Sequence, residues 1–209
     1  MHARAVHHLR TQDPRLAEWI DRIGMVRLPR RGTPEPFHAL LEAIAHQQLA
    51  GAAAKAIWTR VLALFPEGHP DPQHLLALSD EHLRGAGLSR SKALSMKAIA
   101  AQALAGEVPD AKRIACMSED QIVDQLTKIR GVGPWTVDML LIFTLRRPDV
   151  MPLNDYGVRK GYQVLYRKRK LPTPKQLLMS AECWRPYRTT AALYLWRIAD
   201  APKASKVTS

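Results

Sequence analysis

Apolar side chains recur along most of this chain at the spacing of an amphipathic helix. Leu16, Trp19, Ile20 and Ile23 fall at i, i+3, i+4 and i+7, and Gly24 ends the helix they predict. Phe37, Leu40, Leu41, Ile44 and Ala45 repeat the pattern. An Ala-rich helix is expected from Leu49 to Phe65, carrying Ile57, Val61 and Leu62. Residues 66–72 are rich in Pro and Gly and read as a loop. Short helices are expected at 73–78 and 80–85, and a longer one from Ser89 to Ala105. Ser118-Glu119-Asp120-Gln121 has the form of a capping box, so a helix should start there and run to Thr127. Pro134 suits the first turn of a helix reaching Leu145, and Asp155 can cap one reaching Tyr166. Residues 173–180 and 186–200 supply the last two helices, and 201–209 read as a disordered tail. No segment alternates as a strand would. The fold class expected is all-α, with about ten helices.

Composition narrows what such a fold could bind. The 209 residues suffice for one compact unit or two small lobes around a sizeable core. The formal net charge is +12 and the isoelectric point about 10.1. That excess points to a polyanion, nucleic acid before membrane, because no basic amphipathic helix with a broad apolar face stands out. A generic positive surface is the alternative. The two cysteines, Cys116 and Cys183, are too few for a four-cysteine iron–sulfur cluster. The eight histidines form no zinc-binding pair, so no zinc is expected. Residues 1–12 lack the apolar run of a secretory leader, and no stretch nears the ~20 apolar residues of a membrane span. A cytoplasmic protein, or a nuclear one in a eukaryote, is expected.

The most informative stretch is 126–145, LTKIRGVGPWTVDMLLIFTL. Helix, tight Gly-x-Gly turn, helix is the form of a helix–hairpin–helix motif. Gly131 and Gly133 would leave bare backbone, so that N–H groups near a helix start can face one anion, a DNA phosphate. Alone, the same glycines would sooner be read as a plain interhelical turn.

The surroundings decide for the first reading. Gly131-Val132-Gly133-Pro134-Trp135-Thr136, followed by Leu153-Asn154-Asp155-Tyr156, resembles the helix–hairpin–helix, Gly/Pro-rich, Asp-containing DNA glycosylases. Residues 43–49, AIAHQQL, resemble that family's paired-Gln segment. Residues 184–196 resemble the C-terminal helix of its 3-methyladenine DNA glycosylase II branch. The resemblance spans residues 12–200, with the motif at 118–145. It implies a single unit of two small helical lobes with a DNA-binding cleft between them.

The resemblance also assigns roles. Asp155 becomes the catalytic carboxylate, stabilising a sugar with oxocarbenium character and orienting water; without the family it reads as a plain N-cap. Trp135 stands where the lyase branches carry a nucleophilic Lys, which implies a monofunctional hydrolase. Gln48, with Gln47 beside it, matches the residue that fills the gap left by the flipped base, though either Gln could instead bridge helices. Trp196 and Tyr156 match walls of the base pocket, where an indole face would attract a cationic base. Met139 stands where a well-characterised member has Tyr, so the lesion range is expected to differ and to extend to bases such as 1-methyladenine or 3-methylcytosine. Trp184 and Trp58 read as core. Backbone carbonyls of Thr127, Ile129 and Val132 match those that hold an alkali cation, Na⁺ or K⁺, in the family; no other cofactor is implied. Arg90, Lys92, Arg146, Arg147, Arg159 and Lys160 are candidates for the DNA face, and the run 167–170 is either a phosphate contact or a solvated turn. The partner expected is duplex DNA carrying alkylated bases, met by a monomer that needs no membrane. A non-catalytic DNA-binding module and a glycosylase with lyase activity are the competing readings.

Overall fold

The computed structural model describes residues 2–28, 35–49 and 51–201. Among these there are thirteen α-helices and no strand. The expected tail lies, from residue 202 on, outside the described residues. The chain divides into two compact units. One is continuous, residues 30–146; the other joins the two chain ends, 1–29 and 147–209.

The continuous unit holds α3 (Pro36–His46), α4 (Gly51–Leu62), α5 (Pro72–Ala77), α6 (Asp80–Gly85), α7 (Arg90–Leu104), α8 (Ala111–Ala115), α9 (Glu119–Leu126) and α10 (Pro134–Met139). Its core is the apolar stripe of α3, Leu40, Leu41 and Ile44, with Met96 and Ile99 of α7 and Val137 of α10, all out of solvent. Short helices survive here because their first turns are capped. Asp71, Ser79, Ser89, Asp110 and Ser118 each accept a backbone N–H, a contribution of about 1 kcal/mol apiece. The capping box at Ser118 and Gln121 forms as its sequence predicts.

Several boundaries differ from expectation. The Ala-rich helix begins at Gly51, later than Leu49, and ends at Leu62. The helix after Pro134 does not stay α to Leu145. It widens into a π turn over Leu140–Thr144, closed by Leu145 N–H on the Leu140 carbonyl at 2.9 Å. The wider turn lets three consecutive side chains, Leu140, Leu141 and Ile142, all enter the core. Helix α8 was not expected.

The second unit holds α1 (His2–Gln12), α2 (Pro14–Ile23), α11 (Tyr156–Leu165), α12 (Pro174–Ala181) and α13 (Arg188–Asp200). Helix α1 escapes the sequence pattern because its apolar content is thin; Ala5 and Leu9 are what it buries. Helices α11 and α13 pack with their backbones close. A Cβ on Gly161 would lie 1.9 Å from the Leu195 carbonyl oxygen, so only glycine fits. Asp13 caps α2 and is buried, yet fully occupied: it accepts the Arg15 and Leu16 N–H groups, the Tyr166 hydroxyl and the Trp184 indole N–H. Arg188 holds Asp149 with two side-chain nitrogens at 2.8 and 3.1 Å, which fixes the segment leading to α11 against α13.

Candidate functional site

Asp155 is the N-cap of α11, as its position before the apolar periodicity predicts. Its Oδ1 accepts the Val158 backbone N–H at 2.7 Å. The same oxygen accepts the indole N–H of Trp196, 41 positions further on in α13, at 2.8 Å. The indole lies tight against the turn: a Cβ on Gly157 would be 2.7 Å from Trp196 Cδ1. Asp155 is half-buried, and Tyr156 beside it is 67% exposed. A carboxylate pinned by two donors at a helix start, flanked by an indole and an exposed phenol ring, can place a fixed negative charge against a reacting sugar. Asn154 is exposed beside it.

The hairpin forms in the other unit. Gly131 is in the left-handed region, φ +83°, and a Cβ there would stand 2.1 Å from Ser95 Oγ. Gly133 is the N-cap of α10, with open space where a Cβ would be. Thus Gly131 is required by the turn and by close packing on α7, whereas Gly133 leaves bare backbone at a helix start, the arrangement an anion uses. Trp135 and Met139 follow on α10 and are half-buried. Thr127, Ile129 and Val132 line the same bend, with the Ile129 carbonyl accepting the Val132 N–H at 3.0 Å.

The two glutamines part company. The Gln47 side-chain amide donates to the Gly131 carbonyl at 3.1 Å and to Thr136 Oγ1 at 3.0 Å. Gln48 is exposed and has φ +56°. Gln47 is therefore a strut between the α3 terminus and the hairpin, and Gln48 is the one presented outward.

The basic candidates also divide. Arg90 is exposed at the start of α7. Lys92, expected at phosphate, is half-buried, and its ammonium donates to the carbonyls of Ala45 and Gln47 at 2.9 and 2.8 Å, which leaves one of its three N–H groups. Arg159 Nε is committed to the Pro172 carbonyl, and Lys160 to Gln163. Residues 167–170 are exposed. Trp58 and Trp184 are buried, as read from the sequence. Ser95 and Gly157 were missed, having no motif of their own, and Thr136, though inside the hairpin motif, was given no role. Among the described residues no group of three or more His, Cys, Asp or Glu could hold a metal ion, and no helix is long and apolar enough to cross a membrane.

Residues 41–186 match the model of the HhH-GPD superfamily of base excision DNA repair proteins. The chain belongs to that superfamily. Within it the chain falls in the 3-methyladenine DNA glycosylase branch. It is 38% identical to DNA-3-methyladenine glycosylase 1 of Schizosaccharomyces pombe over 95% of this chain and 88% of that one. Its fold matches a solved 3-methyladenine DNA glycosylase of the same yeast, in complex with abasic DNA, at a TM-score of 0.90 and 37% identity, covering 96% of this chain and all of that one. It also matches a DNA-3-methyladenine glycosidase from Bacillus halodurans, at a TM-score of 0.78 and 35% identity, over 94% of this chain and 89% of the other. The matched stretch takes in the hairpin between α9 and α10 and Asp155, the N-cap of α11.

Proposed function

We propose that this protein is a monofunctional DNA glycosylase of base excision repair, acting as a monomer on duplex DNA and removing alkylated bases, 3-methyladenine among them. The observation that carries this is Asp155, capped onto α11 and held by Trp196, in a chain so similar to named DNA-3-methyladenine glycosylases.

The chemistry follows from the groups present. The hairpin backbone at Gly131 and Gly133, with Arg90, would grip phosphate without reading sequence. Gln48 would fill the space of the extruded base, offsetting part of an unstacking cost of a few kcal/mol. Tyr156 and Trp196 would wall the base; an electron-rich ring adds roughly 0.5–2 kcal/mol for a cationic one. As the glycosidic bond breaks, its electrons neutralise the departing cationic base. Asp155 stabilises the positive charge left on the sugar, and a water oxygen bonds to the anomeric carbon and passes its proton to Asp155 or solvent. Trp135, in place of an amine, supports water rather than lysine as nucleophile. Neutral carbonyls of Thr127, Ile129 and Val132 suit a weakly held Na⁺ or K⁺ that would add positive charge at the phosphate grip.

The test is to incubate methylated duplex DNA with wild type and Asp155→Asn. Free methylated purine from wild type alone is expected. Tight binding with no release by either would instead mark a non-catalytic DNA-binding module. An adduct trapped by borohydride would mark a lyase.

A further inference from the structure

Lys92 lies on α7, 45 residues beyond Gln47, yet its ammonium sits on the end of α3. It donates to the carbonyl of Ala45, in the last turn, and to that of Gln47, the C-cap. Those carbonyls carry the negative end of the helix dipole, a favourable place for a cation. Burial holds the Lys92 ammonium below its ordinary pKa.

The residue that follows, Gln48, has φ +56°, a conformation L side chains rarely adopt. Something must keep it there. The Gln47 carbonyl is fixed by Lys92, and the Gln47 side chain is fixed to the hairpin through Gly131 and Thr136. Helix α7 also reaches the hairpin directly, through Ser95 packed under Gly131. Three separate elements are thus tied at one point: the α3 terminus, α7 and the hairpin.

We propose that Lys92 is a positioning residue for base extrusion, its ammonium clamping the Ala45 and Gln47 carbonyls so that Gln48 projects as the plug in register with the phosphate-gripping hairpin. This rests on the reading of Gln48 as the plug. Lys92 itself touches neither base nor phosphate. Its influence passes through the backbone of Gln47.

The test compares wild type, Lys92→Met, Gln48→Ala and the double variant. Single-turnover excision is followed on a fully paired methylated duplex and on one whose lesion sits in a single-nucleotide bulge, already unstacked. Lys92→Met should slow the paired duplex about tenfold, the order expected for losing a charged hydrogen bond, and most of that loss should be recovered on the bulge. The double variant should be no slower than Gln48→Ala. The dependence of undamaged-duplex affinity on salt should keep its wild-type slope. Equal slowing on both duplexes, or full additivity with Gln48→Ala, overturns the proposal. A salt slope reduced by about one does so too, since that would make Lys92 a phosphate contact. No effect of Gln48→Ala on the paired duplex overturns instead the reading of Gln48 as the plug. Should Lys92→Met fail to fold, Lys92→Gln, which keeps a donor on a shorter stem, carries the same comparisons.

Discussion

The indole N–H of Trp196 and the backbone N–H of Val158 converge on one oxygen of Asp155, at 2.8 and 2.7 Å. Two donors on a single oxygen fix how the carboxylate is turned. Replacing Trp196 with Phe keeps a ring and removes the donor. Single-turnover excision should fall by about 10- to 100-fold, the cost of a misaligned catalytic group, with abasic-duplex affinity little changed. Unaltered rates in Trp196→Phe would refute this orienting role.

Asp155→Asn separates capping from chemistry. Asn caps helices as well as Asp does, so the unfolding free energy should stay within about 1 kcal/mol of wild type. Excision should drop by roughly a thousandfold or more, as for loss of a main electrostatic stabiliser. A parallel denaturant titration and excision time course would check both.

The two hairpin glycines should behave differently. Gly131→Ala forces a Cβ into Ser95 at φ +83°, and a loss of about 3 kcal/mol or more is expected. At Gly133 nothing lies within 4 Å of an added Cβ, so stability should move by only about 1 kcal/mol. Its DNA affinity should nonetheless weaken, because the added methyl occupies the bare backbone that would meet phosphate. Comparable destabilisation in both variants would show that the open space at Gly133 is not real.

Stability should fall at alkaline pH through Tyr166. Burial, then its hydrogen bond to Asp13, pushes the phenol pKa above its ordinary 10.0. The folded state therefore retains the proton that the unfolded chain gives up. This stabilisation is fully present below pH 10 and is lost as pH climbs beyond the unfolded value. Melting temperatures between pH 8 and 11 should decline more steeply for wild type than for Tyr166→Phe.

Met139→Tyr should shift lesion choice. Met139 is half-buried, and its unbranched side chain is flexible where a Tyr would be rigid. Excision rates on defined duplexes holding 3-methyladenine, 1-methyladenine or 3-methylcytosine should change in ratio, not merely in scale. Identical selectivity in the two proteins would show that Met139 takes no part in lesion choice.

What the sequence disclosed and what it hid divide by distance along the chain. Asp155 was legible as a cap because its partner, Val158, is three residues away. The box at Ser118 and the stop at Gly24 are equally local. Lys92 read as a surface base because nothing near it in sequence announces the carbonyls of Ala45 and Gln47. Gln47 and Gln48 are identical letters, separated by a backbone angle that no periodicity encodes. Helix α1 was invisible because its pattern rests on Ala5 and Leu9 with few apolar companions. The π turn was hidden since LLIFT reads equally well as ordinary helix.

The glycine at 157 has a use beyond this molecule. Its missing Cβ is what admits the Trp196 indole to within bonding distance of Asp155. Asp-x-Gly followed some forty positions later by Trp is therefore one device written in two places. In an unfamiliar genome, a chain keeping the Asp while carrying a larger residue in place of this Gly should lack the indole as well. Such a chain would then have to orient its carboxylate by other means, or have given up cutting the bond.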